Sequence, residues 1–409
     1  MVSSQVWGRV GLALGFLGVA ACASVLGIED RTLDTSLDSG TTNDSAGGDT
    51  KGDTASTDGP MADAGPCGDV QTSATNCGRC GHSCLGGACT AGVCQPVALV
   101  SMIKPWDIHV DTSSVYWTEP YDGYVMKADK TTGANPVALM SASSSNSRIF
   151  FPFYIALDGT SVFLADEGTG YILSCPTTGC GGNPTTVGVL DAGEATAHEI
   201  AVDSTYVYWT DTTDSVWRAP KSGAGPVQHL ATYSPELEGG VASVPEAIAV
   251  DSTFVFFTND DGTIQKVALA GGTPTLFAAG PVQIAGQIAI ANNSVYFTQN
   301  NDPGTVESVP TSGGTATVLQ GSQHLPAGVV ADGNNIYWVN QGTAPSLNDG
   351  TVMMCPLTNC SVPTTLATGQ LGPVGIAVDE NAVYWTDPAV VTTGSGTGEM
   401  GAVMMVAKP

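Results

Sequence analysis

Ile200-Ala-Val-Asp203-Ser-Thr-Tyr-Val207-Tyr-Trp-Thr-Asp211 decides the fold, because the chain repeats it: Ile376-Ala-Val-Asp379 is followed by Val383-Tyr-Trp-Thr-Asp387. A small apolar strand ends in Asp, and an aromatic strand follows on a fixed spacing. Weaker copies end their first strand at Asp111, Asp158, Asp251, Ala291 and Asp332, which makes seven units between Ile108 and Asp387. Five residues after each stands an aromatic: Tyr116, Phe163, Tyr208, Phe256, Tyr296, Tyr337 and Tyr384. Short strands recurring every 40 to 50 residues mark a radial β-architecture.

Constant spacing within each pair and variable spacing between pairs imply a short, fixed turn and elastic outer loops. A third strand follows a Gly or polar turn, as in Gly262-Thr-Ile-Gln-Lys-Val267, and a fourth follows a Gly- or Pro-rich turn, as in Thr273-Pro-Thr-Leu-Phe277. The second strand is apolar at successive positions, so both its faces are expected to be buried between neighbouring sheets. The fold class is therefore all-β: a seven-bladed β-propeller of four-stranded antiparallel blades over 97–409. The last unit stops at its third strand, Gly401-Ala-Val-Met-Met-Val406, while Val97-Ala-Leu-Val100 matches the fourth strand of unit one, Val137-Ala-Leu-Met140. Residues 97–101 are thus predicted to complete the seventh blade and leave no open sheet edge.

The Tyr-Trp-Thr-Asp phrase resembles the YWTD repeats of the low-density-lipoprotein receptor family, and the whole is similar to TolB-like and NHL propellers. YWTD propellers usually have six blades; here seven units are counted. Several copies are also degraded, among them Phe163-Leu-Ala-Asp166 and Tyr296-Phe-Thr-Gln299.

Residues 1–22 read as an export signal, with Arg9 before the apolar stretch Val10 to Ala21. Val19-Ala-Ala-Cys22 resembles a bacterial lipobox, which implies lipidation of Cys22. At about 0.8 kcal/mol per buried CH₂, two or more acyl chains anchor a protein where one does not. The expected location is the cell envelope, lipid-anchored, at the outer membrane or cell surface. Residues 23–66 turn to Asp, Thr, Ser, Gly and Ala and are read as a disordered acidic tether.

Cys67, Cys77, Cys80, Cys84, Cys89 and Cys94 crowd into the span 67–96 among glycines, with too little apolar material for a core. Three disulfides are expected to hold this module, and sequence does not choose the pairing. Zinc is the competing reading for Cys77, Cys80 and His82. The segment Asn76-Cys-Gly-Arg-Cys-Gly-His-Ser-Cys84 resembles the cysteine-rich motif of stigma-specific plant proteins and of myxobacterial surface proteins. Cys175 and Cys180, like Cys355 and Cys360, are expected to pair within equivalent turns.

The charge of −26, from 12 Lys and Arg against 38 Asp and Glu, repels phosphate backbones and argues against nucleic-acid binding. The chain carries no Gly-x-Ser-x-Gly elbow, Walker loop or zinc-protease helix motif. Asn259-Asp-Asp-Gly262 is too short for an EF-hand and reads as a polar turn. No catalytic constellation is assigned.

Internal comparison places a site instead. Just before the first strand, units six and seven read Pro326-Ala-Gly-Val329 and Pro373-Val-Gly-Ile376. Units one to four put large or charged residues there: Trp106, Asp107, Phe153, Tyr154, His198, Glu199 and Glu246. In a propeller these positions ring one mouth of the central channel, so aromatic walls and carboxylates would converge on a sugar, amine or peptide. The loops 340–349 and 387–400 should flank the same face. The expected function is a cell-surface binding or scaffold module for protein or carbohydrate ligands, acting as a monomer, with no cofactor. The alternative is a calcium-dependent lactonase- or lyase-like enzyme, for which Asp107, Glu199 and Glu246 would have to gather as ligands.

Overall fold

The computed structural model describes residues 67–142, 148–190, 196–232, 244–279, 285–388 and 401–409. The export signal, Cys22, the tether and most of the 387–400 loop lie outside the described residues.

Seven four-stranded antiparallel sheets form the ring, each running first to fourth strand. Their first strands are Ile108–Val110, Pro152–Leu157, Ala197–Val202, Pro245–Val250, Ala285–Ala291, Pro326–Ala331 and Ile376–Val378. Each first strand contacts the next, and the seventh contacts the first, so these strands line the axis. The second strands are buried on both faces: Trp117, Trp209, Trp338 and Trp385 are all fully enclosed. The closing strand is longer than the sequence predicts. Val97–Ile103 pairs antiparallel with Gly401–Ala407, two residues beyond the expected end at Ser101.

The two conserved-looking polar letters of the repeat are scaffold. The aspartate ending each first strand accepts from the backbone of its own turn, as Asp203 Oδ1 does from Thr205 N and Tyr206 N. Where the aromatic five residues on is tyrosine, its hydroxyl donates to the other oxygen: Tyr116 to Asp111 at 2.6 Å, Tyr208 to Asp203 at 2.7 Å. The link from these aspartates to the next blade is a lysine side chain. Lys221 meets Asp158, Lys408 meets Asp332, and Lys130 meets Asp379, all within 2.7 Å.

The threonine of the repeat joins the blades. Thr118 Oγ1 donates to Phe153 O, Thr210 to Glu246 O, Thr298 to Ala327 O, and Thr386 to Trp106 O. Blades two and six lack it, with Ala165 and Val339 in its place.

All six cysteines of the small module are in disulfides: Cys67–Cys80, Cys77–Cys89 and Cys84–Cys94. The zinc reading is thereby overturned. The sulfurs of Cys77, Cys84 and Cys89 lie within 4.8 Å of one another but are all covalently committed. His82 serves instead as a bridge, with Nδ1 2.6 Å from Cys77 O and Nε2 2.6 Å from Lys408 O. The buried cystines share a cluster with Tyr337, Val406 and Ala407, so the module packs on blades six and seven. Cys175–Cys180 and Cys355–Cys360 close the turns from third to fourth strand in blades two and six.

Candidate functional site

A β-bulge recurs at the start of the first strands. In blade three, Ala197 pairs with Asp211 and Ile200 with Trp209, so His198 and Glu199 together oppose the single residue Thr210. The same shift occurs at Pro245/Ile248, Ala285/Ile288 and Pro326/Val329. The extra residue breaks the alternation of a flat strand and re-aims two successive side chains. The Thr hydroxyl opposite caps the bulge, accepting from Asp107 N, Glu199 N, Ala247 N and Gly375 N at 2.9–3.1 Å. The small pair in blades six and seven has its own cause. A Cβ on Gly375 would lie 2.7 Å from Trp106 O, and one on Gly328 2.4 Å from Val374 O, so close backbone approach demands glycine there.

Where the bulge carries large residues, they meet as a continuous surface. Trp106 packs edge-on to Phe153, with centroids 5.4 Å apart, and Tyr154 stands edge-on to His198 at 5.0 Å. Three aromatics not singled out from sequence extend this wall. Phe151 and Tyr121 lie 6.4 and 6.1 Å from Phe153, and Phe150 touches Phe151 at 4.5 Å. Phe150 and Tyr121 are 59% and 57% exposed, so an apolar rim faces solvent. Asp166 fixes its base by accepting from Phe150 N at 2.9 Å.

His198 is the electrostatic centre. It donates from Nδ1 to Glu167 and from Nε2 to Glu246 at 3.1 Å. Burial disfavours the imidazolium, but the two carboxylates outweigh it and raise the His198 pKa to about 10. With both nitrogens engaged, this ring is a charged strut rather than a free base. Glu199 behaves in the opposite sense. Burial, with Asp107 and Glu246 nearby, pushes its pKa up to about 8 against the pull of His198 and of a 3.0 Å hydrogen bond from Gln287. Glu199 is therefore a protonated acid at neutral pH. Tyr154, buried beside Glu199, Glu167 and Glu246, is held in its neutral phenol form.

Asp107 also has a structural part. Its Oδ1 accepts from Ile108 N at 2.8 Å and its Oδ2 from Ile155 N at 2.9 Å, tying blade one to blade two. Among the described residues, no trio of carboxylate or imidazole ligand atoms gathers within 4.8 Å, so Asp107, Glu199 and Glu246 form no calcium set. Glu167 and Gln287 were missed in the sequence. Gln287 occupies the same register as Glu199, a signal that was available; Glu167 lies past the second strand and carried none. The loop 340–349 is anchored by Asp349, which accepts from Thr343 N and from its hydroxyl at 2.7–2.8 Å.

No protein-family model and no curated protein sequence matches the chain. Solved structures do. A streptogramin B lyase structure aligns at TM-score 0.59 and 13% identity, covering 76% of this chain and 97% of that one. A nidogen/laminin complex aligns at TM-score 0.46 and 18% identity over 63% and 95%. The computationally designed Ika8 protein aligns at TM-score 0.50 and 12% identity over 76% and 99%. At such identities the likeness is one of fold, and the fold is the β-propeller.

Proposed function

We propose that this chain is a lipid-anchored cell-surface protein whose propeller mouth binds a protein ligand that presents basic side chains. The observation that carries the reading is the contiguity of an exposed aromatic rim with the carboxylates flanking His198. Ring faces attract Lys and Arg cations, and a chain of charge −26 steers basic partners toward it. Carbohydrate is the other ligand class such a rim serves.

The test is titration with an eight-residue Lys/Arg peptide, its Asp/Glu counterpart and neutral oligosaccharides, followed by tryptophan fluorescence. Quenching by the basic peptide, abolished in the Trp106→Ala/Tyr154→Ala double variant, is expected. A response to neither peptide nor sugar, or one untouched by the double variant, defeats the reading. For the anchor, Cys22→Ser should move the chain from the membrane fraction to the soluble one.

A second reading is a lyase-like enzyme. It rests on Glu199, a buried acid that retains its proton up to about pH 8 beside Tyr154, and on the fold shared with a streptogramin B lyase. Ring opening of a cyclic ester that disappears in Glu199→Gln would favour it. The calcium form of this reading lacks a ligand set among the described residues.

A further inference from the structure

The face opposite the mouth carries the turns that close first to second and third to fourth strands, and blade five alone lacks the aspartate of the repeat there. In blades one, three, six and seven a tyrosine hydroxyl donates to the aspartate of its own blade. At three junctions a lysine from the next blade closes on that aspartate. Blade five keeps the tyrosine, Tyr296, but has Ala291 for the aspartate. Blade six has Leu357 at the place that Lys408 holds after the third strand of blade seven. Neither charge is present at this junction, and Leu357 and Tyr296 line a cleft of about 480 Å³ there.

Its lining is Asn292, Ser294, Tyr296, Gly333–Asn335 and Pro356–Thr358. No side chain in that set is charged at neutral pH. Asp332, next in the chain, is turned to Lys408 and Tyr337. Asn292 and Asn335 each spend one of two amide hydrogens, on Gly333 O and Tyr337 Oη, leaving the second hydrogen and the carbonyl oxygen. Among the described residues the Tyr296 hydroxyl has no hydrogen-bond partner.

The walls are preformed. Asn292 and Asn293 both take left-handed φ values, 48° and 58°, in the two-residue turn between the paired Ala291 and Ser294. Pro356, Leu357 and Thr358 lie inside the loop closed by Cys355–Cys360. Asn292 stitches one wall to the other across the blade boundary.

We propose that this cleft is a second binding site, distinct from the mouth, for an uncharged polyhydroxylated ligand of the neutral-sugar class. Amides and hydroxyls both give and take hydrogen bonds, as sugar hydroxyls require, while Leu357 and Pro356 suit the C–H face of a pyranose. An ionic ligand would lose its hydration without meeting a countercharge, and an anion would also be repelled by the chain as a whole. A purely apolar ligand would strand the polar lining without water.

The experiment is saturation-transfer NMR and calorimetry on the full chain with methyl glucoside, maltose, cellobiose, lactose and chitobiose, and with methyl glucuronide as the charged comparator. At least one neutral sugar is expected to bind, with the glucuronide tenfold weaker. Ala291→Asp with Leu357→Lys restores the pair used at other junctions and should cut binding tenfold or more. Tyr296→Phe, which removes one hydroxyl and leaves the packing, should cut it severalfold and serves alone if the double variant does not fold. Trp106→Ala should leave it unchanged. The proposal is overturned if no sugar of the panel binds, if the glucuronide binds equally, if Tyr296→Phe and the double variant bind as before, or if Trp106→Ala abolishes binding and so moves the sugar to the mouth.

Discussion

Thr386 Oγ1 donates a 2.6 Å hydrogen bond to the carbonyl of Trp106, 280 residues away in sequence, and so joins the last blade to the first. The same hydroxyl accepts from Gly375 N at 2.9 Å. One side chain thus satisfies two backbone groups on either side of the seam. Thr386→Val keeps the shape and orphans both, so a loss of about 1–3 kcal/mol is expected in urea unfolding. Val339→Thr in blade six should gain nothing, since Val339 is fully buried and Gly328 N already bonds Val374 O there.

The buried tryptophans are unequal. Trp385 Nε1 donates to Gln370 Oε1 at 3.0 Å, whereas Trp209 Nε1 is buried with no partner among the described residues. Both indoles are fully enclosed, so Phe removes similar volume from each. Trp385→Phe should cost about 1–2 kcal/mol more than Trp209→Phe, because only the former strands a buried oxygen. Equal losses in denaturant titrations would contradict this.

Lysine replacement at the blade junctions should be felt. The Lys408 and Asp332 side chains are only 14% and 26% exposed, and Lys408 also sits 4.8 Å above the Tyr337 ring. Lys408→Met is expected to lower stability by about 1–2 kcal/mol. Asp332, held near pKa 2 by burial-opposed bonds from Lys408 and the turn amides, should then titrate higher by NMR.

Stability should peak in mildly acidic solution. Glu199 and Asp387 have pKa values raised to about 8 and 7, mainly by burial. The folded chain therefore binds protons there that the unfolded chain releases, and stability falls as pH climbs through that range. His198, raised to about 10, contributes stability that is complete below its ordinary titration range and is lost as pH rises toward 10. Asp158 and Asp332, lowered to about 2, contribute stability that disappears as pH drops from 4 toward 2. A melting temperature that rose steadily from pH 5 to 10 would refute this assignment.

His198 gives a direct readout of the mouth. Its ring carbons should keep imidazolium shifts through neutral pH in wild type, and Glu167→Gln should bring the transition well below 10 by removing one of two charged acceptors.

Strand order, blade number and the borrowed closing strand were legible in the chain, because a propeller blade is local. Each strand pairs with the next one in sequence, and an aromatic run apolar on both faces has only one place to go. Val97–Ser101 could be placed for the same reason, by its likeness to Val137–Met140. Side-chain partners across blades were not legible, because they join residues tens of positions apart through geometry that the letters do not carry. A bulge opposite Thr210 aims His198 and Glu199, and a neighbouring loop brings Glu167 to the imidazole. Asp107 reads as a free carboxylate in sequence, yet two backbone amides use both its oxygens. Ala291 stands where the other units have aspartate, but only the fold brings Leu357 and Tyr296 to one cleft. Local periodicity determined the scaffold; burial and the meeting of distant side chains decided protonation, charge and the places a ligand could lie.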